Sequence, residues 1–186
     1  MPPAPVETER LTAEDYRALP ESGPRYQLID GELHMAPAPN SYHQEIVWNL
    51  SQIFGSYLRQ QPIGRVYLAP YDVYLSAHDV VQPDLLFISK SRQHLRKEDG
   101  IHGAPELVIE ILSPSTALLD TKSKRSIYSR TGVKELWLVD PTLRQIHLYD
   151  FARHPAKAVR IVDEDETFES ALLPGLGISA ADVFKP

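Results

Sequence analysis

Between Ile46 and Leu58 the apolar residues Ile46, Val47, Leu50, Ile53, Phe54, Tyr57 and Leu58 recur every three or four positions, with polar residues between them. That spacing lays one apolar stripe along a helix and predicts an amphipathic helix packed on a core. Ser41 and Gln44 stand ahead of the stripe in the order of a capping box and mark its start. Upstream, Tyr26-Gln27-Leu28-Ile29 and Glu32-Leu33-His34-Met35 flank Asp30-Gly31. That dipeptide predicts a two-residue hairpin turn, because both central positions of such a turn need positive φ. Thr12 with Asp15 caps a short helix reaching Leu19. Beyond Gly64 the period changes to short β-rich runs at Val66 to Leu75, Leu85 to Ile88 and Leu107 to Leu112. A helix is predicted from Leu118 to Arg130, ended by Gly132, with strands following at Glu135 to Val139 and Gln145 to Tyr149. The tail from Leu172 to Phe184 is expected to wrap back onto the sheet. This order of elements fits an α/β (α+β) fold, a central mixed β-sheet flanked by helices.

A chain of 186 residues can bury one sizeable core. Three prolines among the first ten residues, without any apolar period, read as a flexible arm over residues 1–11, which leaves 12–186 as a single domain. The absence of cysteine excludes disulfides, thiolate zinc sites and cysteine nucleophiles, so any metal must sit on oxygen or imidazole. The start has no signal-peptide pattern and no apolar run approaches the ~20 residues of a membrane span, so the expected location is cytoplasmic, away from membranes. A formal charge of −6 means that any basic footprint for nucleic acid must be local.

The segment Leu107-Val108-Ile109-Glu110-Ile111-Leu112 is apolar on both alternating faces except at Glu110. A strand of that kind is central and covered on both sides, and a lone carboxylate inside it is costly to ionise. A metal ion, a paired cation or a raised pKa must compensate. Asp84 repeats the pattern at the mouth of Leu85-Leu86-Phe87-Ile88. If the two strands are neighbours, Asp84, Glu110, a backbone carbonyl near Ile111 and waters make an oxygen site suited to Mg2+ or Mn2+. The bland alternatives are that Asp84 merely opens a strand and Glu110 reaches water at the sheet rim. On the following helix, Asp120 and Lys124 are four apart, which fits an ion pair on a solvated face as well as a lysine reaching the carboxylates.

Several stretches resemble the Uma-two family, which is grouped with the PD-(D/E)XK restriction-endonuclease-like nucleases. They are Tyr26-Gln-Leu-Ile-Asp-Gly-Glu32-Leu, His43-Gln44, Ala69-Pro-Tyr-Asp72-Val, Gln82-Pro-Asp84, Ala104 through Thr116, Asp120 to Lys124, and Gly132 through Asp140-Pro. The resemblance runs from about Thr12 to Phe184. It implies a restriction-endonuclease-like fold and a metal-dependent endonuclease acting on nucleic acid, with DNA the expected substrate. It also implies Asp84 as the first acid and Glu110 as the second. The simplest pattern of the superfamily has a lysine two residues after the second acid, where this chain has Leu112; the family's lysine on the next helix matches Lys124, with Lys122 a stand-in. The resemblance further implies that Glu32 and His43 border the site, although the residues alone allow a solvated hairpin acid and a helix-start histidine.

Lys90, Arg92, Arg96 and Lys97 place four basic groups in eight residues, a candidate phosphate-contacting arm or an ordinary solvated loop. A two-fold homodimer is the expected assembly, since it cuts both strands of a duplex most simply. The competing reading is a catalytically silent nuclease-like module that binds nucleic acid or a partner protein. A structural subunit with a buried Glu110–Lys124 ion pair is the third.

Overall fold

The computed structural model describes residues 10–20, 22–114 and 117–186. In chain order it contains α1 (Ala13–Arg17), β1 (Tyr26–Ile29), β2 (Glu32–Met35), α2 (Ser41–Gln60), β3 (Gly64–Leu68), β4 (Val73–Ser76), β5 (Asp79–Val81), β6 (Leu85–Ser89), a 3-10 segment (Lys90–Leu95), β7 (Ile101–His102) and β8 (Leu107–Ile111). A π-helical segment (Leu119–Lys124), α3 (Arg125–Thr131), β9 (Glu135–Asp140), β10 (Gln145–Asp150), β11 (Arg160–Asp163), β12 (Thr167–Glu169), β13 (Gly177–Ser179) and α4 (Ala180–Val183) complete it.

Six strands in the order β11-β10-β9-β8-β6-β3 form the sheet that carries the site. β8 and β9 run parallel, with α3 in the crossover between them, while β6 pairs antiparallel with β8. Parallel neighbours need such a crossover, because a hairpin can join only antiparallel strands. The two faces of β8 are both covered, as its pattern predicts. Leu107, Ile109 and Ile111 pack with Leu85, Phe87 and Trp137 beneath Ile46, Leu50 and Phe54 of α2. On the other face Val108 joins Leu86, Leu136 and Leu138 against Ile127 and Tyr128 of α3. A second sheet, β2-β1-β5-β4-β7, shares that face through Ile29, Val73 and Val81. The fold is thus a mixed sheet flanked by helices, with an additional sheet that the apolar pattern does not announce.

The hairpin forms where expected: Asp30 and Gly31 have φ of 51° and 82°, and Leu28 pairs with Leu33. The capping box of Thr12 and Asp15 is present. For α2 the cap is one residue earlier than Ser41, since the Asn40 side chain accepts a hydrogen bond from the His43 backbone N–H at 2.8 Å. The run Val66 to Leu75 is not one strand. It breaks around Pro70, which offers no N–H to a ladder, and its halves enter different sheets. The helix predicted from Leu118 is π-helical over its first turns before becoming α-helical, and it ends at Gly132 with φ of 98° as expected.

The tail does return: the Tyr42 hydroxyl and the Asn49 amide donate to the carbonyls of Phe184 and Val183, and both of those residues are buried. Of the expected flexible arm, residues 1–9 lie outside the described residues. Arg10 and Leu11 are fastened to the hairpin by bonds to the carbonyls of Asp30 and Gly31. Among the described residues no helix is long and apolar enough to cross a membrane.

Candidate active site

The register of β6 on β8 pairs Leu85 with Ile109, Leu86 with Val108 and Phe87 with Leu107. One further step places Asp84 opposite Glu110, so neighbouring strands do bring the two acids together. Asp84 is held in place from two sides. Its Oδ2 accepts the Ile111 backbone N–H at 2.7 Å, and its Oδ1 lies 3.2 Å from His43 Nε2 at the start of α2.

Glu110 is 3% exposed. Its Oε1 accepts from Lys124 Nζ at 2.8 Å and from the Tyr128 hydroxyl at 2.5 Å. Lys124 also lies 3.1 Å from Asp120 Oδ1. Asp120, Lys124 and Tyr128 are spaced four apart, so they line the side of the helical segment that faces β8. The solvated-face reading of Asp120 and Lys124 is therefore overturned, since each is 3% exposed. The sheet-rim reading of Glu110 fails for the same reason.

Burial pushes the Glu110 carboxyl up to about 8; Lys124 opposes this, while Asp120 and Asp84 add to it. Burial works against the Lys124 ammonium, but Glu110 and Asp120 outweigh it and its pKa is raised. Burial and the neighbouring Glu110 hold the Tyr128 phenol far above its usual range, so it serves as a hydrogen-bond donor. Burial alone would lower the His43 pKa, yet its bond to Asp84 raises it on balance. His43 Nδ1 is buried without a partner among the described residues.

These groups open into a cavity of about 680 Å³ whose walls include Arg25, His43, Asp84, Glu110, Ile111 and Lys124. Its donor set fits a hard divalent cation: Glu110 and Asp120 flank the Lys124 ammonium, Asp84 adds a third carboxylate to the same cavity, and burial first, then the neighbouring acids, makes Glu110 reluctant to ionise. Among the described residues no three His, Asp or Glu side chains form a ready cage. An ion here would rest on two carboxylates, a main-chain oxygen and water, as magnesium commonly does.

The other residues singled out by sequence are placed apart. Glu32 is exposed on β2 and does not line the cavity. Lys122 points into a neighbouring hollow of about 510 Å³ with His34 and Met35, which shares Pro37 with the main cavity. Arg92, Arg96 and Lys97 follow the far end of β6, and Arg92 lies 4.0 Å from Glu106. Leu112, at the position of the superfamily's lysine, lines the cavity but brings no charge.

The roles of Tyr128 and Asp120 are not visible in the sequence, because their four-residue spacing with Lys124 is equally that of a solvated ion pair. Nor does the sequence show a polar brace behind Asp84. Gln82 donates its backbone N–H to Gln27 Oε1 at 2.9 Å and its amide to Asp72 Oδ1 at 2.8 Å, and Tyr16 donates its hydroxyl to the same Asp72 oxygen at 3.0 Å.

A model of the Uma2 family, described as "Putative restriction endonuclease", matches residues 13–181. No curated protein matches the sequence. Among solved structures, the crystal structure of a "putative nuclease belonging to DUF820" from Anabaena variabilis has the same fold, with a TM-score of 0.78. It is 23% identical and the match covers 94% of this chain and 97% of that one.

Proposed function

Because the chain belongs to the Uma2 family of restriction-endonuclease-like nucleases, we propose that it hydrolyses phosphodiester bonds of DNA at the Asp84–Glu110–Lys124 cluster. The observation that carries this reading is the buried Glu110 carboxyl, directly opposite Asp84 and held by Lys124 at 2.8 Å, on the wall of an open cavity. Asp84, Glu110 and the Ile111 carbonyl would hold Mg2+ or Mn2+. When bound, such an ion lowers the pKa of water and polarises a phosphoryl oxygen.

The chain's own groups do the rest. The Ile111 N–H and His43 fix the two oxygens of Asp84, and Tyr128 fixes Glu110, so neither acid must reorganise as substrate binds. Lys124 comes from the helical segment in place of the strand position taken by Leu112. Its ammonium orients the attacking water and meets the negative charge that grows on the phosphate. A two-fold dimer would set two such sites against the two strands of a duplex.

Cleavage of a labelled duplex should require Mg2+ or Mn2+ and stop with chelator. Glu110→Gln and Lys124→Met should each lower the rate at least about a hundredfold. Cleavage at the parental rate by Glu110→Gln would sink the assignment. A second reading, a module that binds nucleic acid without cutting, draws on the same 2.8 Å pair, because Lys124 already neutralises Glu110 internally. Magnesium titration separates the two: heat that vanishes in Asp84→Asn supports the nuclease, and no heat at millimolar concentrations supports the silent module.

A further inference from the structure

We infer that Arg25 is the phosphate anchor of this cavity, a substrate-binding residue that grips a backbone phosphate beside the scissile bond; this rests on the nuclease reading. The cavity wall contains three basic side chains, Arg25, His43 and Lys124. Two of them are already committed. Lys124 is buried between Glu110 and Asp120, and His43 is bonded to Asp84. Arg25 is exposed, and among the described residues its guanidinium makes no ion pair or hydrogen bond. Other arginines are spent on acids: Arg10 and Arg130 on Asp30, Arg17 on Asp99, Arg144 on Glu164, Arg153 on Asp150 and Arg160 on Glu166.

The backbone aims Arg25 at the cavity. It stands just before β1, and its carbonyl accepts the Ala36 N–H at 2.8 Å, which extends the β1–β2 ladder by one pair beyond Tyr26 and Met35. Alternate residues of an extended strand share a face. Arg25 therefore shares the face of Gln27, which also lines the cavity and accepts the Gln82 N–H two residues before Asp84. The root of Arg25 is thus tied through Gln27 and Gln82 to the acid that opens β6.

Charge gives this placement its purpose. Three carboxylates line the site against one buried ammonium, so an uncommitted cation at the rim adds attraction for an approaching phosphodiester that the committed side chains do not supply. A guanidinium suits that task because its fork can donate two parallel hydrogen bonds to phosphate oxygens. The basic residues after β6 cannot do this for the scissile phosphate. They lie at the opposite end of a five-residue strand, about 17 Å from Asp84.

The test measures anisotropy of a fluorescein-labelled duplex in calcium over a salt series, together with steady-state cleavage in magnesium. Arg25→Ala should raise Kd and KM about tenfold, leave kcat within about twofold, and reduce the slope of log K against log salt by about one. Arg25→Lys should restore the slope and only part of the affinity, since it keeps the charge and loses the fork. Arg25→Gln serves as a second neutral variant, and magnesium binding should match the parent in all three. Arg153→Ala, an exposed charge loss beside the opposite end of β9, should change none of these values.

Parental Kd and slope in Arg25→Ala and Arg25→Gln would overturn the inference, as would equal losses in Arg153→Ala. A parent that cleaves with a KM indifferent to Arg25 sinks this inference and leaves the nuclease reading standing. A parent that binds with an Arg25-dependent slope but never cleaves sinks the nuclease reading and supports the anchor.

Discussion

Glu110 sits on a strand whose every residue is buried, with its carboxyl bonded to an ammonium and a phenol. Because burial pushes this acid up to about 8, it holds a proton at lower pH, and a cation must expel that proton to bind. Magnesium affinity should therefore rise with pH and level off above about pH 8, with proton release in the rising range. Calorimetry in buffers of different ionisation enthalpy measures the release, and affinity that is flat across that range would refute the coupling. Glu110 is legible in the sequence because a strand apolar on both faces leaves one carboxylate unexplained. Lys124 is reached through resemblance more than through pattern. Asp120 and Tyr128 are not, because the spacing that buries them against β8 looks the same as the spacing of a solvated ion pair.

At the scale of elements, α2 delivers His43 to Asp84, and its first turn is fixed by Asn40. Removing the cap in Asn40→Ala should cost about 1 kcal/mol, whereas Ser41→Ala should be nearly neutral. Urea melts of the two variants decide this, and the reverse order would restore the cap to Ser41. The helix itself, the Asp30-Gly31 hairpin and β8 are all readable, because each has either a full apolar period or a turn with a steric requirement. The split between β3 and β4 is not, since Val66 to Leu75 is continuously β-rich and only the pairing partners show two sheets. β5, β7, β12 and β13 have two or three residues each, too few to show any period.

Across the whole molecule, the cavity lies where the first hairpin, the start of α2 and the ends of β6 and β8 meet, so residues far apart in sequence share one wall. That convergence depends on the second sheet, which is why Arg25, Gln27 and the brace behind Asp84 stay hidden from pattern reading. The basic arm is visible in sequence, but its distance from the site is not. On the proposed nuclease reading, Arg92, Arg96 and Lys97 would meet only nucleic acid that extends along the protein well beyond Asp84. Replacing all three with alanine should leave cleavage of a short duplex unchanged and weaken binding of a long one. Equal loss on both substrates would place the arm at the cavity after all.

Anomalous diffraction from a manganese-soaked crystal decides whether Asp84 and Glu110 form a divalent-cation site. A manganese peak within coordination distance of both carboxylates in the parent, lost in Glu110→Gln, is the predicted result. Density that shows Lys124 still closed on Glu110, with manganese bound elsewhere or absent at millimolar concentration, would contradict it.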